Sequence, residues 1–105
     1  LLVKGENMWL KVHEPKGSRI IAICDKTLIG RVLSEGKYNV DIQKHKDFYF
    51  GESATLHTIE NAVHDFSSIN AVGEKSVASL IQIGLAKEEN IKYVNNVPIL
   101  HIYRL

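Results

Sequence analysis

The sequence predicts a single α/β domain of the α+β type, a two-layer sandwich in which a mixed β-sheet carries helices packed mainly on one face. Three observations lead there. Segments alternating apolar and polar, such as Met8-Trp9-Leu10-Lys11-Val12-His13, interleave with segments at helical spacing, such as Leu56, Ile59, Ala62, Val63 and Phe66. The helical segments have one apolar stripe and most strands one apolar face, so stacking helices on one side of a sheet buries both. The 105 residues are 45% hydrophobic and 24% charged with net charge +1, the composition of one ordinary globular domain.

The same totals exclude several classes. A disordered chain needs low apolar content and a large net charge. A charge of +1 is not that of a polycationic DNA binder, which leaves room only for a local basic patch. No apolar run reaches the ~18 residues of a membrane span. The lone Cys24 permits no intrachain disulfide and fits a reducing compartment. With no secretory-type apolar stretch at the start, the expected location is the cytoplasm. Residues 1–7 precede Met8, where the periodic pattern starts. They are expected to be an extension or expression remnant, with 8–105 the single α/β domain.

In chain order, Met8 to His13 reads as a half-buried strand and Glu14-Pro15-Lys16-Gly17 as a turn. Arg19 to Cys24 is β-branched and apolar throughout, a more buried strand that completes a hairpin. Asp25 can cap a helix whose face would be Leu28, Ile29, Val32 and Leu33, with Gly36 as its stop. Tyr38, Val40 and Ile42 give a third strand, and Gln43 to Glu52 a polar loop bearing aromatics. A helix is predicted over about 54–66, capped by Ser53, because its apolar residues fall within roughly 120° of arc at about 100° per residue. Ser68 to Val72 is ambiguous. Gly73 opens a further helix with Val77, Leu80, Ile81 and Gly84 on one stripe. Ile91–Val94 and Val97–Leu105 form a hairpin about Asn95-Asn96. The last strand is apolar on both parities, so it is either central or covered by a partner.

Four places carry candidate chemistry. Cys24 and Asp25 fall at a strand-to-helix junction, where a helix N-terminus would activate a thiol; the plain alternative is a buried small hydrophobe. The histidines give no metal site: His57 and His64 are seven apart, about 10.5 Å along a helix, too far for two ligands of one zinc. Val72-Gly73-Glu74-Lys75-Ser76 lacks the glycine spacing of a phosphate loop. Gly73 still opens a helix whose N–H groups can hold a phosphate with Lys75 adding charge, against the plain reading of a loop-to-helix cap. Lys44-His45-Lys46-Asp47-Phe48-Tyr49-Phe50-Gly51 interleaves basic and aromatic residues, which suits base stacking with backbone contacts; the alternative is that the aromatics are core anchors.

Several segments together resemble a known family: Met8 to Glu14, Ile23 to Gly30, Phe48-Tyr49 with Gly51, Asn70 to Lys75, Glu89-Asn90-Ile91 and Val97-Pro98. In this order they resemble the archaeal domain of unknown function family 424. The resemblance implies a small archaeal cytoplasmic α/β protein and brings no activity, cofactor or catalytic residue with it. Family members often carry a histidine directly after the Val-Pro pair, where this chain has Ile99, with His101 on the same parity. Lys44-His45-Lys46 is not part of the family pattern.

Three functional expectations follow. The first is a non-enzymatic module binding RNA or a ribonucleoprotein of the translation machinery through Lys44, Lys46, Phe48, Tyr49, Gly73 and Lys75. It requires Lys44, Lys46 and Lys75 on one face, with Phe48 or Tyr49 exposed. The second is a small enzyme using Cys24 with Asp25 or a histidine such as His13 or His101. The third is a subunit that pairs through its C-terminal strand. No cofactor, metal or membrane is expected in any of them.

Overall fold

The computed structural model describes residues 7–104. The expected extension therefore lies, apart from Asn7, outside the described residues, as does Leu105. Among the described residues, eight strands and three α-helices follow in the order β1 (Met8–His13), β2 (Ile20–Asp25), β3 (Val32–Glu35), β4 (Tyr38–Asp41), α1 (Lys46–Tyr49), β5 (Glu52–Ala54), α2 (Leu56–Ala62), β6 (Ser68–Val72), α3 (Glu74–Gln82), β7 (Lys92–Val94) and β8 (Val97–Tyr103). Six strands make one mixed sheet in the order β5-β1-β2-β6-β8-β7, and β3 with β4 makes a separate hairpin. Among the described residues only β2 and β6 run parallel, and the other pairs are antiparallel. No helix among the described residues is long and apolar enough to cross a membrane.

The α+β architecture with helices mainly on one face is the one predicted. On that face Ile59 of α2 and Val77 and Leu80 of α3 pack onto Met8, Ile21, Ile23, Ile69, Ala71 and Leu100 of the sheet. The opposite face has its own smaller core. Leu33 and Ile42 from the β3–β4 region and Tyr49 of α1 cover Ala22, Cys24, Val72 and Ile99. The two parities of β2 and β8 thus feed two different cores. This is why both strands read as apolar throughout. β8 lies inside the sheet between β6 and β7, and its Ile99 is covered by the chain's own hairpin side.

Three elements differ from expectation. The helix predicted from Asp25 is a single turn at Lys26–Leu28 followed by β3. Gly30 at φ +87° breaks the rise, and Val32 is exposed while Leu33 is fully buried, the alternation of a strand. An apolar face of four residues within six is too short to separate the two periods. The helix predicted over 54–66 ends at Ala62 and is capped by Thr55, whose hydroxyl accepts from Thr58 N–H while Thr58 Oγ1 accepts from Thr55 N–H. Ser53 lies instead in β5, and Asp65 at φ +48° turns the chain so that Phe66 still reaches the core. The ambiguous Ser68–Val72 is a central strand, the one that joins the N-terminal hairpin to the C-terminal half. At the β7–β8 turn, Asn95 and Asn96 both take positive φ, 54° and 64°, as a two-residue hairpin loop demands.

Candidate functional site

The second face of the sheet is only partly covered. Between the β4–α1 loop and the uncovered ends of β6 and β8 lies a cleft of about 560 Å³. Its walls are aliphatic, from Val40, Val72 and Ile99, with Phe48 at one side. Its polar groups come from two distant parts of the chain: Asn39, Asp41, Lys44 and His45 on the hairpin side, and Asn70 and His101 on the sheet. Asn70 and His101 are register partners on the antiparallel pair β6–β8, so their side chains stand side by side on one face.

Local folding explains how the loop is held. Asp41 Oδ1 accepts a 2.8 Å hydrogen bond from Lys44 N–H, which folds residues 41–44 into a tight turn and engages one carboxylate oxygen. The Arg31 carbonyl accepts from Ile42 and Gln43 N–H. The four-residue α1 is too short to be stable by itself and is pinned to β1. Lys11 Nζ donates to the Asp47 carbonyl at 2.6 Å, and His13 Nε2 donates to the Phe48 carbonyl at 2.9 Å. The His13 ring also stacks on Phe48, centroids 4.7 Å apart. Gly51 then lets the chain pass so close to the Leu10 carbonyl that a Cβ would overlap it.

Tyr49 forms part of the cleft lining and is 8% exposed. Its hydroxyl makes no hydrogen bond among the described residues, yet no fully buried side-chain polar atom there lacks a partner. The hydroxyl is therefore not fully enclosed by protein, and Tyr49 lines the cleft. Burial, and secondarily the nearby Cys24, pushes its pKa up to about 12, so at neutral pH it stays a donor. Burial, with Lys92 adding to the effect, holds the His101 imidazole below its ordinary value. The sheet side of the cleft thus offers a phenol, an amide and an exposed imidazole shifted toward its neutral form, with the Lys44 ammonium on the loop side.

The predicted site residues separate into three groups. Lys44, Phe48, Tyr49 and His101 meet in the cleft. Phe48 is half-buried against His13, and Tyr49 is buried; the exposed aromatic of the segment is Phe50, tilted against Trp9 at 4.7 Å. Lys46 borders a separate hollow with Ile29, Asp47 and Phe50. Gly73 and Lys75 belong elsewhere. Lys75 is on α3, whose core side chains pack on the other face of the sheet, so Lys44, Lys46 and Lys75 do not share one face.

The α3 N-terminus is already occupied. Asp25 Oδ2 accepts from Lys75 N–H at 3.1 Å, and Asp25 Oδ1 accepts from Ser76 N–H at 2.8 Å and from the Ser76 hydroxyl at 2.7 Å. The parallel register of β2 and β6 brings Asp25 to Gly73, where a Cβ would overlap the carboxyl. Asp25 thus caps a helix fifty residues away rather than its own, and this internal carboxylate stands where a phosphate would bind. Cys24 is fully buried, and desolvation, then the Asp25 charge, raises its thiol to about 12. A sulfur with that burial and pKa is not a nucleophile, and the apolar-core reading of Cys24 is the one the geometry supports.

Sequence reasoning missed Asn70 as a site residue. The signal was present: an amide in the middle of the apolar run Ser68 to Val72, on the parity opposite Ile69 and Ala71. Asn39 and Asp41 were unreachable, because only the docking of the hairpin onto the sheet sets them beside Asn70.

A family model described as "Protein of unknown function (DUF424)" matches residues 13–105. Among solved structures, the crystal structure of an uncharacterized conserved protein from the archaeon Methanopyrus kandleri is similar, with TM-score 0.78 and 28% identity over 91% of this chain and 90% of that chain. A comparison with curated proteins finds no match. With the family model matching residues 13–105, well over half of its length, the chain belongs to the DUF424 family.

Proposed function

We propose that the protein is a non-enzymatic binding module that takes single-stranded RNA, alone or within a ribonucleoprotein, with one unstacked base in the cleft. The observation that carries this reading is the convergence of the basic-aromatic loop with Asn70 and His101 across a cleft of about 560 Å³. RNA readers splay out a base, enclose its ring with apolar or aromatic groups and satisfy its edges with amides and other neutral polar groups. Lys44 supplies a cation for the backbone, and Lys46, on the other flank of α1, extends the positive edge. Gly73 and Lys75 have no part in it, because Asp25 holds the backbone they would offer.

The test is fluorescence anisotropy with labelled single-stranded RNA. If two phosphates are neutralised, affinity falls about 25-fold over a tenfold rise in salt, at the single-strand slope of about −0.7 per phosphate. Lys44→Glu abolishes binding while leaving the fold intact, and Lys75→Glu leaves binding unchanged. Absence of binding, or binding indifferent to salt, sinks the proposal.

A further inference from the structure

One polar group of the cleft lining, on a nearly buried residue, makes no hydrogen bond among the described residues. Tyr49 is 8% exposed, packs among Ala22, Cys24, Val72 and Ile99, and carries a hydroxyl with no hydrogen-bond partner among the described residues. A phenylalanine would fill nearly the same volume without adding a donor to a lining that is partly aliphatic. With the cleft empty this donor is open to water, and with the cleft filled it is free to take an acceptor of the ligand.

The neighbours narrow what that ligand is. Asn70 and His101, adjacent across β6–β8, also make no side-chain hydrogen bond among the described residues, and both line the same cleft. Tyr49 and Asn70 present neutral polar groups there and His101 is shifted toward its neutral form, which suits an inserted part that is uncharged and bears acceptors and donors on its edge. The walls on either side are aliphatic, from Val40 and from Val72 and Ile99, which suits a flat ring. The cationic group of the lining is Lys44, on the loop side, and the one carboxylate, Asp41, has an oxygen turned into its own turn. The anionic part of a ligand therefore sits toward the loop. A neutral heteroaromatic ring joined to an anion is the chemistry of a nucleotide.

We infer that the sheet side of the cleft is a nucleobase subsite in which the Tyr49 hydroxyl is the specificity-determining donor, and that a single nucleoside 5′-monophosphate is its minimal ligand. This rests on the cleft assigned above but not on an RNA strand being the physiological ligand.

The experiment titrates nucleoside 5′-monophosphates, ribose 5-phosphate and inorganic phosphate into the full chain, followed by amide chemical shifts. Wild type, Tyr49→Phe and Asn70→Ala are compared, and the melting temperature of each is recorded. At least one nucleotide shifts the amides around Asn70, His101 and Lys44 in a saturable way, and ribose 5-phosphate does not. Tyr49→Phe weakens that binding about fivefold to tenfold, the worth of one neutral hydrogen bond, with a melting temperature equal to or above wild type. A structural hydroxyl would instead lower it. Asn70→Ala weakens binding to a similar degree.

Ribose 5-phosphate binding as well as the nucleotides, or Tyr49→Phe binding as tightly as wild type, overturns the inference. If RNA binds with the expected salt dependence and no nucleotide binds, the nucleobase subsite falls and the RNA reading stands. If nucleotides bind and RNA does not, the reverse holds.

Discussion

Single residues do two kinds of work here, and Asp25 shows the first. Its carboxylate satisfies two backbone N–H groups and a buried hydroxyl at the start of α3. Asp25→Ala should cost about 2–4 kcal/mol in denaturant unfolding, from the lost cap and the unpaired buried donors. Gly73→Ala should cost at least about 1–2 kcal/mol, because φ there is +112° and the new Cβ would overlap the same carboxyl. Cys24 and Tyr49 show the second kind, groups kept neutral by burial. Their pKa values are raised from 9.0 and 10.0 to about 12. The folded state holds protons that the unfolded chain releases, so stability is full below pH 9 and falls as pH rises through 9 to 12. Cys24→Ala should flatten the lower part of that alkaline loss in a pH series of unfolding curves. A thiol reagent such as DTNB should label native protein at pH 8 only at the rate of unfolding.

At the scale of elements, short pieces hold only because something else grips them. The helix α1 has four residues and leans on Lys11 and His13 of β1. His13→Ala removes a hydrogen bond and a stacked ring, a loss of about 1–2 kcal/mol. Hydrogen exchange should show faster opening at residues 46–50 than in β2 or β6, and the cleft should loosen with it. The β7–β8 turn behaves differently, because its strain is local. Asn96 sits at φ 64°, so Asn96→Gly should leave stability unchanged or raise it by up to about 1 kcal/mol.

The whole molecule is a sheet with two unequal coverings. Helices α2 and α3 cover one face; the β3–β4 hairpin and α1 cover part of the other and leave the cleft beside them. Leu33 is the fully buried side chain by which β3 joins the second core. Leu33→Ala should cost about 2–5 kcal/mol, as should Ile69→Ala in the first core. The two differ in their consequence for ligand binding: in conditions where both variants remain folded, Leu33→Ala should lose nucleotide binding and Ile69→Ala should keep it.

The sequence by itself determined the strands and helices whose apolar period is long or repeated: the β1–β2 hairpin, α2, α3 and the hairpin about Asn95-Asn96. It also showed β2 as a more buried strand and β8 as apolar on both parities, the pattern that burial on each side demands. The segment Leu28 to Leu33 was decided by tertiary structure, since six residues satisfy either period and the contact made by Leu33 settles between them. So was the role of Asp25, whose partner lies fifty residues along the chain and next to it only through the parallel pairing of β2 with β6. The cleft belongs to the same class. Lys44 and Tyr49 stand out in the sequence as a basic-aromatic loop and His101 as a histidine on the parity of Ile99. Their meeting depends on non-local docking of a hairpin onto a sheet, which no spacing along the chain encodes.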